Sequence, residues 1–120
     1  MANRFCVSLT RAKDDTDRAT VAFVVANAAL GCEQETMVFL STEGVRLAAQ
    51  GYADDIHEAG FAPLRELMSS FVDSGGEILV CSPCFAKRKL NESDLIPGAK
   101  LVGGAKLVEF LAKGAACVSY

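Results

Sequence analysis

Two cysteines separated by two residues, Cys81 and Cys84, are the pair in this sequence whose type and spacing point most directly to chemistry. A CxxC outside a disulfide framework indicates redox, sulfur or metal chemistry. Cys81 ends an apolar run at 77–81 and starts a turn into a short helix expected within 82–90. A thiol there meets unsatisfied backbone N–H groups and the positive end of a helix dipole. Thiols at helix starts and in CxxC pairs commonly have lowered pKa values. The thiolate is the nucleophile, so the placement suits sulfur transfer or disulfide exchange. Cys84 falls on the same helical face as Cys81, and the two sulfurs can close a disulfide where the turn geometry permits. Pro83 pre-sets the helix start. Lys87, Arg88 and Lys89 follow within two turns; they either add positive charge beside the thiols or form a solvated helix face. The plainer reading of the pair is two packed cysteines at a strand end.

Other candidates are weaker. Glu43 follows a strand end on the same expected edge, as a site carboxylate or as an acidic residue at a helix start. His57 stands among Asp54, Asp55 and Glu58 and reads as part of a solvated loop. Structural zinc usually takes four ligands. One CxxC and a single His fall short within one chain, so no metal is assigned unless subunits share it. Gly103 and Gly104 lack the spacing and the Lys-Ser/Thr of a P-loop, and no glycine fingerprint follows the first strand. No cofactor is therefore expected. Cys6 and Cys117 lie in strand-like runs and are expected in the core, where free Cys is common; Cys32, after Gly31, reads as structural.

The elements that must position the pair alternate along the chain. Strands are expected at 4–9, 36–41, 77–81, 100–102 and 115–120. Helices are expected at 17–30, capped by Asp14 or Asp15 and ended by Gly31; at 42–49, capped by Thr42; from Phe61 to the Gly75-Gly76 stop; and at 104–113, burying Leu107, Val108 and Leu111. The segment 51–60 is polar and irregular, and Pro97-Gly98 is a turn. Strand–helix alternation implies right-handed crossovers and an α/β fold: about five mainly parallel strands with helices on both faces, in one domain over 1–120. In such sheets function gathers at the carboxyl ends of the strands. Three loops fall there: 10–11, 41–43 and 81–84. The centre of the first helix, 21–25, is apolar nearly all round and needs covering on more than one side; another subunit could supply that cover.

Composition sets the frame. The chain has 120 residues, 51% hydrophobic and 22% charged, with net charge −3 and a pI near 5.1. Such a chain is globular rather than disordered. Its acidity argues against nucleic acid as the main partner. The five cysteines are odd in number and mostly far apart, unlike a secreted disulfide framework. No secretory signal is read at the N-terminus, and the longest apolar stretch, 21–30, falls short of the about 20 residues a membrane span needs. A cytoplasmic protein is expected.

In order and spacing, the stretches 39–45 (FLSTEGV), 61–67 (FAPLREL), 77–84 (EILVCSPC) and 101–108 (LVGGAKLV) resemble the DsrE/DsrF-like family of small sulfurtransferase-related proteins. The resemblance covers nearly the whole chain. It implies a flavodoxin-like αβα sandwich that assembles into homotrimers or homohexamers, with other sulfur-carrier or thiol proteins as partners. For the active sulfur-relay members it implies a persulfide on a cysteine after the third strand, the position of Cys81. Some relay members use a lone cysteine, whereas this chain adds Cys84. A neighbouring thiol could attack a persulfide and release sulfide, so a thiol–disulfide redox module using both cysteines stays open beside the relay. A non-enzymatic oligomer that binds a small ligand or a shared metal stays open as well.

Overall fold

The computed structural model describes residues 3–120; Met1 and Ala2, part of the N-terminal segment read above for a signal, lie outside the described residues. Five strands form one all-parallel sheet: β1 (Arg4–Leu9), β2 (Glu35–Leu40), β3 (Glu77–Cys81), β4 (Ala99–Val102) and β5 (Ala115–Ser119). The four helices are α1 (Thr16–Gly31), α2 (Leu64–Asp73), α3 (Ser82–Lys87) and α4 (Gly104–Ala112). Short 3-10 segments cover Thr42–Ala48, Tyr52–Asp55 and Glu92–Asp94. The fold class read from the alternation is the one observed.

The strand order is β4-β3-β2-β1-β5. The steps from β1 to β2, β3 and β4 all run one way, so right-handed crossovers put their helices on one face. The chain then returns across three strands to place β5 beside β1, and α4 lies on the other face. Side chains follow this division. Val7, Leu9, Val38, Leu40, Ile78 and Val80 face α1 and α2, with Phe23 and Phe71 meeting edge to face at 5.9 Å. Cys6, Met37, Phe39 and Leu79 face Phe110 of α4. The Arg4 guanidinium lies 4.3 Å from the centre of the Phe110 ring, pinning α4 at the amino end of β1.

Local chemistry explains where the elements start. Asp15 caps α1 by accepting from the Arg18 N–H at 3.0 Å. The apolar centre of α1 finds part of its second cover in α2 within the same chain, where Asn27 donates to the Leu67 carbonyl at 3.0 Å. Four expectations change. The helix expected from Phe61 begins at Leu64, because a proline, Pro63, holds the N-cap and disfavours helical backbone before it; Phe61 is 37% exposed. Thr42 does not cap its helix: Ser41 is the N-cap residue and no side chain bonds there. Val108 is 65% exposed, since one helix covers the second face and buries only its inward stripe. Cys117 is exposed on the edge strand β5, while its registered partner Cys6 is buried.

Gly44 is where the 42–48 segment packs on the sheet. A Cβ there would lie 2.3 Å from the Leu9 carbonyl oxygen, which is backbone and cannot yield. Gly44→Ala should therefore cost about 1–3 kcal/mol in urea denaturation, as overpacking does. Gly31→Ala, with nothing within 4 Å of the added methyl, should be neutral or stabilising by about 0.5–1 kcal/mol.

Candidate functional site

The three carboxyl-edge loops meet. Ser41 N–H donates to the Leu9 carbonyl at 3.1 Å, and Thr42 Oγ1 donates to the Thr10 carbonyl at 2.9 Å. Thr42 has φ of +50°, a left-handed conformation that a β-branched residue rarely adopts. The loop that begins at Thr10 contributes backbone only, since Arg11 turns aside to Asp14 at 3.1 Å.

Cys81 ends β3 and is the N-cap of α3; Ser82 and Pro83 open the helix and Cys84 completes its first turn. Both cysteines are half-buried and Pro83 is exposed. The chain leaves β3 toward the face holding Phe85 and leaves β4 toward the face holding Phe110. Neighbouring strands whose connections part in this way flank the crevice where open α/β sheets bind ligands. Cys81 is registered with Val102 at that parting and packs against both cores.

The two thiols differ in acidity. Burial raises Cys84, but the Cys81 thiol, the Thr42 N–H and the charges of Arg88 and Lys87 outweigh it, so Cys84 lies below the ordinary thiol value. Burial raises Cys81, and the hydrogen bond it donates to Cys84 raises it further, against the Cys84 N–H and Arg88. The sequence expectation of a thiolate on Cys81 is thus changed: the favourable groups converge on Cys84. Thr42 and its N–H carry no signature in the sequence.

Glu43 and Arg88 form the frame. Arg88 Nε donates to Glu43 Oε2 at 2.7 Å and Arg88 Nη1 to the Cys84 carbonyl at 3.2 Å; Arg46 Nε holds the other Glu43 oxygen at 2.9 Å. The hydrogen bond from Arg88 is foremost in holding the Glu43 carboxyl below its usual range. The Lys87–Lys89 run is therefore split. Arg88 is turned in, its side chain 15% exposed, while Lys87 and Lys89 are exposed.

Other sequence candidates stand apart. His57 is exposed and bonds to the Phe61 carbonyl at 2.8 Å. Gly103 is the N-cap of α4. Burial, then the neighbouring Cys117, push the Cys6 thiol up to about 12, which makes it inert at neutral pH. A cavity of about 330 Å³ lies between α2 and the 47–54 and 96–97 segments, lined by Leu47, Ala53, Met68, Val72 and Ile96; neither cysteine of the pair lines it. Among the described residues no three His, Cys, Asp or Glu converge as a metal site. Among them, too, no helix is long and apolar enough to cross a membrane.

Residues 3–120 match the DsrE/DsrF-like family. The chain is 32% identical over 108 residues to the uncharacterized protein MJ0989 of Methanocaldococcus jannaschii, covering 90% of this chain and 91% of that protein. It is 30% identical over 105 residues to the uncharacterized protein MK0008 of Methanopyrus kandleri, covering 88% and 84%. The uncharacterized protein MJ0760 of Methanocaldococcus jannaschii is 27% identical over 104 residues, or 87% of this chain, which spans only 38% of that longer protein. Among solved structures, the ychN protein from E. coli superimposes with a TM-score of 0.72 at 11% identity, covering 98% and 99% of the two chains. A protein of unknown function from Methanobacterium thermoautotrophicum, MTH1491, gives 0.70 at 17% identity, covering 98% of each. These two likenesses concern the fold. The chain belongs to the DsrE/DsrF-like family.

The site's electrostatics predict an order of reactivity. Cys84 should be alkylated by iodoacetamide at lower pH than Cys81, read by site-resolved mass spectrometry. Arg88→Ala removes a charge that favours the thiolate, so the Cys84 pKa should rise. Its alkylation should slow near pH 7 and be unchanged at pH 10; an unaltered profile would refute the role given to Arg88.

Proposed function

We propose that this member of the DsrE/DsrF-like family is a cytoplasmic sulfur-relay protein that carries a persulfide on Cys81 and passes sulfane sulfur to an acceptor thiol. The supporting observation is a half-buried strand-end cysteine at the parting of β3 and β4, with a second half-buried cysteine one helical turn away. Sulfur donor and acceptor are other sulfur-carrier or thiol proteins, and the chain works as a homotrimer or homohexamer.

The chemistry balances. Cys81 attacks the outer sulfur of a donor persulfide as its proton passes to the Cys84 thiolate. The donor sulfur leaves as thiolate and takes that proton from Cys84. The products are the Cys81 persulfide, a free donor thiol and a restored Cys84 thiolate. Arg88 holds positive charge beside the pair throughout, and Glu43 holds Arg88.

The spacing of the two free thiols at the start of α3 also favours a second reading, a dithiol redox module in which both cysteines cycle through a disulfide.

Intact-mass measurement before and after incubation with a sulfane-sulfur donor separates the two. The relay predicts a gain of one sulfur that Cys81→Ser abolishes while circular dichroism is unchanged. No gain, with loss of two hydrogens under mild oxidant, selects the redox module. Light scattering should give a trimer or hexamer; a monomer at every concentration would contradict the assembly.

A further inference from the structure

Carrying persulfide sulfur asks of Cys84 only that it accept and return a proton, yet a thiolate beside Cys81 is also a second nucleophile. Cys84 lies three residues after Cys81 on the first turn of α3, both are half-buried free thiols, and Arg88, paired with Glu43, donates to the Cys84 carbonyl at 3.2 Å. Three residues at a helix start also suffice for two sulfurs to come within bonding reach.

We propose, resting on the persulfide reading above, that this pair reduces the persulfide it carries and releases hydrosulfide. Cys84 Sγ attacks Cys81 Sγ, the inner sulfur of the persulfide. The bond between Cys81 Sγ and the outer sulfur breaks, and a Cys81–Cys84 disulfide forms. The outer sulfur leaves with the bonding pair and its proton as HS⁻. It is reduced from the sulfane level to sulfide, and the two protein sulfurs are oxidised together. An external dithiol then reduces the disulfide and returns the pair to its starting state. Attack on the outer sulfur would only move the persulfide to Cys84 and back; attack on the inner sulfur is drained by the departure of sulfide. Arg88 holds positive charge beside the attacking sulfur, anchored by Glu43 at 2.7 Å.

The test is a single turnover without oxygen or reductant. Wild type and Cys84→Ser are loaded with glutathione persulfide and desalted. Free sulfide and intact mass are then followed in time, with peptide mapping to locate the sulfur. Wild type should release about one sulfide per loaded chain and finish two hydrogens lighter than the reduced protein, with the bridge mapped to Cys81 and Cys84. Cys84→Ser should trap the persulfide on Cys81 and release sulfide at least about tenfold more slowly. Cys84→Ala replaces it if the serine variant misfolds. A wild-type persulfide as long-lived as the trapped one overturns the proposal and leaves a simple carrier. Wild type that neither gains sulfur on Cys81 nor releases sulfide overturns the persulfide reading itself, and this step with it. A donor-free sample that loses two hydrogens under the same conditions also counts against it, because the disulfide would then arise without sulfide.

Discussion

The candidate site depends on one close approach of backbone to backbone. The 42–48 segment lies against the end of β1 so tightly that a methyl group on Gly44 would overlap the Leu9 carbonyl. That contact fixes where Ser41 and Thr42 begin, and the Thr42 N–H is one of the groups that favour the Cys84 thiolate. Neither thiol is made acidic by sitting at a helix start alone. Cys81, the residue at the helix start, is the one burial and its neighbour hold protonated. A group from another loop adds to the effect of the Cys81 side chain on Cys84, and a glycine lets that loop come near.

Topology supplies the second condition. Three connections stack helices on one face and the fourth crosses back, so the chain parts at β3 and β4. Cys81 stands at that parting because β3 is the last strand whose connection stays on the first face. The same arrangement leaves α4 alone on the second face, held by the Arg4–Phe110 contact and a small cluster around Met37 and Phe39. The reactive edge thus sits beside a large core on one side and a thin one on the other.

Much of this was legible in the sequence. Apolar runs bounded by polar residues and glycine located β1 and β3 to the residue, and the alternation of elements gave the parallel α/β class. The CxxC drew attention to the right turn, and the order of motifs indicated the family. What stayed hidden was non-local. Strand order depends on which edges meet in space, and a chain pattern does not record that. The Glu43–Arg88 pair joins residues 45 apart, so Glu43 alone read as a helix-start acid. The helical period placed Val108 inside, but periodicity cannot count how many helices share a sheet face. The acidity order of the two thiols depends on burial and on neighbours from other loops, among them the Thr42 backbone, whose side chain had suggested only a cap.

The pairing of β5 with β1 has a consequence for how the chain reaches this state. Thr10 Oγ1 bonds the Tyr120 carbonyl across 110 residues, and β5 closes the sheet beside the first of the five strands. During synthesis β1 can join β2 and β3 early, but its other edge has no strand until β5 emerges. An unpaired parallel edge of this length is a template for wrong pairing. Contacts of such sequence separation also form slowly, because the loop entropy is lost before the contact compensates it. Until then Cys6 lies on an open edge, without the Cys117 neighbour that adds to the effect of burial on its thiol.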